Sequence, residues 1–164
     1  MLYLKKISPD DGIEIYNMLQ EIELNDNGFH NKAKGMNFKE FKLWLEKEYG
    51  RDNGELEDWM VPQTSYWLYD GEKTVGYGRL RHCLNENLKE NSGHIGYAIR
   101  KSERNKGYGT KILALLLSEC EKLKIKEVQI GANSDNIPSN KIITKNGGVF
   151  KRNKGNKNYY LIKL

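Results

Sequence analysis

Ile95-Gly-Tyr-Ala-Ile-Arg-Lys-Ser-Glu-Arg-Asn-Lys-Gly-Tyr-Gly-Thr-Lys-Ile112 is the stretch whose reading decides the fold. Ile95, Tyr97 and Ile99 alternate on one face, the period of a strand. From Gly107 to Leu123 the period changes to that of a helix. Ile112, Leu113, Leu115, Leu116, Leu117, Cys120 and Leu123 supply a wide apolar stripe. Gly107 and Gly109 mark the turn between the two. The first N–H groups of a helix lack partners within it. Together with the positive end of the helix dipole they suit phosphate oxygens. Glycines let the backbone come close to such a group, and Arg104 and Lys106 add charge beside it. A tight turn without a ligand is the plainer reading of the same two glycines.

Ahead of this stretch, Tyr3–Ile7 reads as a strand. Ser8-Pro-Asp-Asp11 reads as a helix start, with Ser8 as cap and Pro9 in the first helical position. Ile15, Met18, Leu19 and Ile22 form one face of that helix. Asn25 to Gly35 reads as a loop. Asn37-Phe-Lys-Glu40 forms a capping box that opens a second helix faced by Phe38, Phe41, Trp44 and Leu45. Gly50 to Gln63 is irregular. Thr64–Tyr69 and Thr74–Leu80 flank the hairpin signal Asp70-Gly71, and Asn85–Asn91 is a connection.

Behind it, Val128, Ile130 and Ala132 alternate as a strand. Asn136 to Lys145 reads as a short helix with an exit at Gly147-Gly148. Val149–Lys151 and Tyr159–Ile162 are strands joined by the basic turn Lys151–Lys157. The order is βααβββαβαββ, an α/β fold with a mixed sheet and helices on both faces. No break in composition divides residues 1–164, so a single domain is expected.

The hydrophobic share of 38% and charged share of 30% fit a soluble globular protein. The longest apolar run, Ile112–Leu117, is too short to cross a bilayer. No secretory h-region follows the first strand. A cytoplasmic protein without a membrane partner is expected. The cysteines, Cys83 and Cys120, form no Cys-x-x-Cys pair, and His30, His82 and His94 have no metal spacing, so no metal is expected. The net charge of +5 points to an anionic partner. A polyphosphate suits this better than nucleic acid, because acidic residues interleave with the lysines. Neither the Gly-x-x-x-x-Gly-Lys-Ser/Thr loop nor a Gly-x-Gly-x-x-Gly fingerprint is present.

Arg104-Asn-Lys-Gly-Tyr-Gly109 resembles the Gln/Arg-x-x-Gly-x-Gly/Ala motif of the GNAT superfamily of N-acetyltransferases, and the element order is similar across nearly the whole chain. Leu80-Arg-His-Cys-Leu-Asn85 with Gly93-His-Ile-Gly-Tyr-Ala-Ile-Arg100 is similar to a bacterial branch of predicted acetyltransferases. The resemblance implies a mostly antiparallel sheet and acetyl-CoA as co-substrate. It implies that main-chain groups of Ala98 and Ile99 pair with the pantetheine arm. Backbone amides of Asn105, Lys106, Gly107, Tyr108, Gly109 and Thr110, with Arg104, would hold the pyrophosphate. Asn133, Asn136 and Ser139 would lie near the pantetheine, although Asn136 serves equally as a plain helix cap.

Acyl transfer to an amine needs a base for the ammonium and, in many enzymes, an acid for the thiolate. Many members of the superfamily carry a Tyr seven residues after the position of Asn136. Here that position is Ile143. His94 starts the strand beside the implied acyl site and is the candidate base, against a packing role. Glu21, Glu23, Asp26, Glu55, Glu57 and Asp58 would favour a cationic acceptor. Arg79 and Arg81 point instead to an anionic one. No cysteine is placed as an acyl carrier, so direct transfer in a ternary complex to a small-molecule or peptide amine is expected. A non-catalytic acyl-CoA sensor of the same fold is the alternative, supported by Ile143. Homodimers are common in such families, and no residue pattern here demonstrates one.

Overall fold

The computed structural model describes residues 1–26 and 29–164. Asn27 and Gly28, within the expected Asn25–Gly35 loop, lie outside the described residues. The elements are β1 (Leu2–Lys6), α1 (Ile13–Gln20), β2 (Asn25–Asp26), β3 (Phe29–His30), α2 (Phe38–Asp52), β4 (Gln63–Asp70), β5 (Lys73–Arg81), α3 (Glu86–Asn91), β6 (Ile95–Ile99), α4 (Tyr108–Lys122), β7 (Glu127–Asn133), α5 (Ile137–Lys145), β8 (Val149–Lys154) and β9 (Lys157–Lys163).

The sheet is split. One part runs β1-β4-β5-β6, another β7-β9-β8, and every ladder is antiparallel. The parts meet where the His94 N–H donates to the Gln129 oxygen at 2.8 Å. Beyond that point β6 and β7 share no ladder among the described residues. The open side of β6 can be read from its register. The Arg81 N–H donates to the His94 oxygen and the Arg100 N–H to the Val75 oxygen. Ala98 stands opposite Tyr77 in the same alternation. Its main-chain groups therefore serve β5, and those of Tyr97 and Ile99 face the split.

Helices cover both faces. α1 and α2 pack Ile15, Met18, Leu19, Phe41 and Leu45 against Trp67, Tyr77 and Ala98. α4 packs Ile112, Leu113, Leu116 and Cys120 against Leu68, Val75, Leu80, Tyr97 and Ile130. α4 comes close because β5 is bare beneath it. A Cβ on Gly78 would stand 2.8 Å from Leu116 Cδ1. No helix among the described residues is long and apolar enough to cross a membrane.

Three local readings are corrected. The first helix begins at Ile13 with Gly12 as its cap, not at Ser8. The Ser8–Asp11 segment forms a turn instead, and Asp11 is drawn inward. Its Oδ2 accepts from Trp67 Nε1 at 2.6 Å and from the Ser8 N–H at 2.8 Å. Satisfying a buried indole N–H outweighs the capping preference of Ser8. The Asn85–Asn91 connection contains a short helix, α3, capped by the Asn85 side chain. The Asn25–Gly35 loop holds the small β2–β3 hairpin, anchored by Phe29 stacked on Tyr77 at 3.8 Å. The capping box at Asn37 forms as expected, with both reciprocal hydrogen bonds present.

Candidate functional site

The split between β6 and β7 opens a cleft of about 530 Å³ between the edge of β6, the β6–α4 turn and the start of α5. It brings together Ile99, Arg104, Asn105, Gly107, Tyr108, Gly109, Thr110, Asn136 and Ser139. The turn is built by two left-handed residues, Asn105 at φ 63° and Gly107 at φ 82°. Gly107 caps α4 and meets no atom within 4 Å of where a Cβ would stand. Its need is conformational. Gly109 is different. A Cβ there would stand 2.6 Å from Ile142 Cδ1, the far end of a flexible side chain on α5. No side chain caps the first turn of α4, which leaves its N–H groups to the cleft.

Each cation of the turn has an acidic partner. Arg104 Nη2 donates to Asp26 Oδ2 at 2.7 Å, and its Nε donates to the Ile99 oxygen at 3.1 Å. Lys106 Nζ donates to Glu103 Oε2 at 2.9 Å, and Lys73 also bonds Glu103. The Tyr108 hydroxyl donates to Asp70 Oδ2 at 2.7 Å, tying α4 to the β4–β5 hairpin. Lys141 and Lys145 add two cations to the wall from α5. They lie one helical turn apart, a spacing visible in the sequence but not singled out from it.

The inner wall carries a hydroxyl pair. Tyr97 and Ser139 are both buried, and their oxygens are 3.0 Å apart. Burial pushes the Tyr97 phenol up to about 12, so it stays protonated at neutral pH. The alternation in the sequence places Tyr97 on one face with Ile95 and Ile99 and marks no role for its hydroxyl. Asn136 caps α5, its Oδ1 accepting from the Ser139 N–H at 3.2 Å. It also lines the cleft. Ile143, at the position where the resemblance implies a Tyr, is fully buried in the core.

A second, smaller cleft of about 220 Å³ adjoins the first. Asn25, Asp26, Phe29, His30, Gly131, Ala132, Asn133, Asn136 and Lys157 line it. Asp26 and Asn136 stand on the boundary between the two. Burial raises the Asp26 carboxyl above its usual range, and Arg104 opposes that rise. Asn133, expected near the pantetheine, faces this second cleft.

His94 lines neither cleft. Its Nδ1 accepts from the buried Gln129 N–H at 2.9 Å. With the main-chain bond in the opposite sense, it clamps the two sheet parts together. Burial holds its imidazole below the ordinary value. Of the six acids considered for an acceptor, Asp26 alone lines either cleft. Glu21 is taken by Arg100 and Ser102, and Glu57 by Trp59 and Arg51. The Arg79 cation is met by Glu48 at 3.1 Å, and Arg81 donates to Ser92 Oγ and the Gly93 oxygen. Neither arginine lines either cleft. No group of three or more His, Cys, Asp or Glu side chains placed to hold a metal occurs among the described residues.

The fold has many solved relatives. It is similar to ribosomal L7/L12 alpha-N-protein acetyltransferase RimL in complex with coenzyme A, with a TM-score of 0.73 and 13% identity over 99% of this chain and 94% of that one. It is similar to the Campylobacter jejuni N-acetyltransferase PseH in complex with acetyl coenzyme A, with a TM-score of 0.68 and 14% identity over 99% of each chain. The GNAT domain of the S. lividans protein PAT gives a TM-score of 0.70 and 10% identity over 98% of this chain and 89% of that one. No curated protein sequence matches the chain. The family described as acetyltransferase (GNAT) domain matches residues 1–149. A split sheet, a glycine turn leading into α4 and a sequence match over most of the length agree, and the chain belongs to the GNAT acetyltransferase family.

Proposed function

We propose that the protein is an acetyl-CoA-dependent N-acetyltransferase that moves the acetyl group to a primary amine of a small molecule or peptide. The observation that carries this reading is the first cleft. It runs from the uncapped start of α4 along the open edge of β6 to the Tyr97–Ser139 pair.

Acetyl-CoA, when bound, supplies an activated acetyl thioester. The turn from Asn105 to Thr110 offers main-chain N–H groups to the pyrophosphate. Arg104 and Lys106 supply charge there, with Lys141 and Lys145 across the cleft. Tyr97 and Ile99 offer main-chain groups for an extended pantetheine arm, in the manner of an added strand. Ala98 contributes packing rather than hydrogen bonds, because its main chain serves β5. Asn136 and Ser139 border the inner end. The second cleft, on the far side of Asp26 and Asn136, is assigned to the amine. Asn133 belongs to that side.

The Ser139 hydroxyl is assigned to donate a hydrogen bond to the departing thiolate, keeping its own proton, with Tyr97 as its hydrogen-bond partner. This pair fills the role that Ile143 cannot. His94 is assigned to the sheet junction. Cys120 is buried and its thiol is pushed up to about 12, and Cys83 is exposed and lines neither cleft. Neither is placed to carry an acyl group, which supports direct transfer in a ternary complex.

The test is acetyl-CoA binding by calorimetry, followed by a thiol-release screen over amines. Micromolar binding with release of coenzyme A thiol on an amine is the expected result. No binding at millimolar coenzyme rejects the assignment. Binding without turnover on any amine would make the protein an acyl-CoA sensor.

A further inference from the structure

Asp26 and Arg104 form an ion pair that spans the boundary between the two clefts. Asp26 sits at the end of the two-residue strand β2 and lines both clefts. Arg104 reaches it from the β6–α4 turn, with 2.7 Å between Nη2 and Oδ2. The Arg104 side chain is 39% exposed and that of Asp26 16%. The arginine can therefore turn away more readily than the aspartate.

The other charged and titratable groups around Asp26 leave Arg104 as its partner. Glu23 adds a like charge. Tyr97 lines the first cleft together with Asp26. His30 and Lys157 line the second cleft. His30 Nδ1 is bonded to Asn25 Oδ1 at 2.7 Å, and Lys157 Nζ reaches the Asn91 oxygen at 3.4 Å. Lys106 is held by Glu103.

With Nη2 on Asp26 and Nε on the Ile99 oxygen, a turn of the guanidinium toward a pyrophosphate at the start of α4 would give up the Asp26 bond. The pyrophosphate carries more charge than one carboxylate and has the helix N–H groups behind it. We propose that Arg104 is a shared cation that couples the two clefts. It holds Asp26 until the coenzyme pyrophosphate draws it away, and the released Asp26 carboxylate then takes the ammonium of a cationic acceptor in the second cleft. This rests on the reading of the turn as the pyrophosphate site.

The carboxylate is paired with guanidinium in the free protein and with ammonium once both ligands are bound, and it is unpaired only in the complex with coenzyme alone. Leaving it uncompensated would be costly. The exchange sets an order, coenzyme before amine. Loss of the guanidinium also increases the proton affinity of Asp26, which burial already favours. The carboxylate left beside the ammonium is then a better acceptor for its proton.

The experiment is calorimetric binding of acetyl-CoA to the full chain and to Asp26→Asn, Arg104→Gln and the double variant. Removing the competitor in Asp26→Asn should tighten binding about fivefold, the upper end for a single partly exposed ion pair. Arg104→Gln should weaken binding. In the Arg104→Gln background, Asp26→Asn should change nothing, because no guanidinium remains to be released. The coupling is overturned if Asp26→Asn leaves the Kd unchanged or weaker. It is equally overturned if the same tightening appears without Arg104, since that is simple charge repulsion. With the amine found by the thiol-release screen, Asp26→Asn should raise the amine KM at least tenfold while the coenzyme binds more tightly, and an unchanged KM overturns the acceptor half. Failure of the wild-type chain to bind coenzyme overturns the pyrophosphate site itself along with the coupling. Wild-type binding without the tightening overturns the coupling alone.

Discussion

The phenol of Tyr97 and the hydroxyl of Ser139 meet 3.0 Å apart where β6 faces the first turn of α5. Both side chains are buried, and both line the cleft. A phenol held at about 12 keeps its proton at neutral pH and orients the serine hydroxyl. Ser139→Ala is expected to lower kcat about a hundredfold, the usual scale for loss of one positioned hydrogen-bond donor to developing charge. The coenzyme Kd should stay within about twofold, since one neutral hydrogen bond contributes little net binding. Tyr97→Phe removes only the partner and should cost about tenfold. Steady-state kinetics with calorimetry separates the two effects, and full activity in Ser139→Ala would remove the pair from the chemistry.

The two glycines of the turn should respond differently to the same change. Gly107 lies at φ 82° with open space around its missing Cβ. Gly107→Ala forces an L side chain into the left-handed region at a cost of about 1–2 kcal/mol, and the turn that offers N–H groups should distort with it. Gly109 is inside α4, and its Cβ would press on the far end of the flexible Ile142 side chain and reach ordinary contact with Tyr97 Cε2 at 3.9 Å. Rotation of Ile142 and the better helix propensity of Ala should keep Gly109→Ala within about 1 kcal/mol of wild type. Urea unfolding and coenzyme Kd for the two variants check this. Equal losses would show that packing, not φ, governs Gly107.

The strand–turn–helix from Ile95 onward was legible because it depends on local pattern: alternation, two glycines and an apolar stripe. The Asn37 capping box was legible for the same reason. The start of α1 was misread because Ser8 and Pro9 satisfy every local rule, while the deciding partner, Trp67, is far along the chain. The helix α3 has six residues, too few for a period, and only the Asn85 cap could have signalled it. The pairs that matter most at the site join residues 42 and 78 positions apart, Tyr97 with Ser139 and Arg104 with Asp26. No spacing rule encodes such contacts. They exist because the sheet splits after His94 and because the β2–β3 hairpin folds over the turn.

His94 offers a test of that split. Its Nδ1 accepts the buried Gln129 N–H, so His94→Ala should leave a buried donor unpaired at a cost of about 1–3 kcal/mol. Catalysis should change little, and the acidic limb of the pH–rate profile, where a general base titrates, should not move. The pH dependence of stability has a definite sign. Burial holds the folded imidazole below its ordinary value of 6.5. The unfolded chain therefore binds a proton that the folded chain refuses. Stability is full above pH 6.5 and declines as the pH falls below it. His94→Ala should lose that part of the decline. Chemical denaturation from pH 8 to 5 reads it, and a collapse of kcat with an altered acidic limb would return His94 to the mechanism.

Glu21 should govern stability in a lower range. It sits at the end of α1 and anchors the segment just before the turn. Arg100 donates to its Oε1 at 2.5 and 3.1 Å, and the Ser102 N–H and hydroxyl donate to its Oε2 at 2.9 and 2.6 Å. The Arg100 bonds, followed by those of Ser102, hold the carboxyl down to about 2 against an ordinary 4.5. The folded chain thus releases a proton that the unfolded chain binds in that interval. The contribution to stability is complete above pH 4.5 and is lost as the pH falls towards 2. Glu21 is partly exposed, so solvent screening reduces its worth to about 1 kcal/mol. Glu21→Gln should be less stable by that amount at neutral pH, and the gap to wild type should close between pH 4.5 and 2. Urea midpoints across that range measure the gap. A difference that stays constant with pH would mean that the variant perturbs packing and that the ion pair contributes nothing.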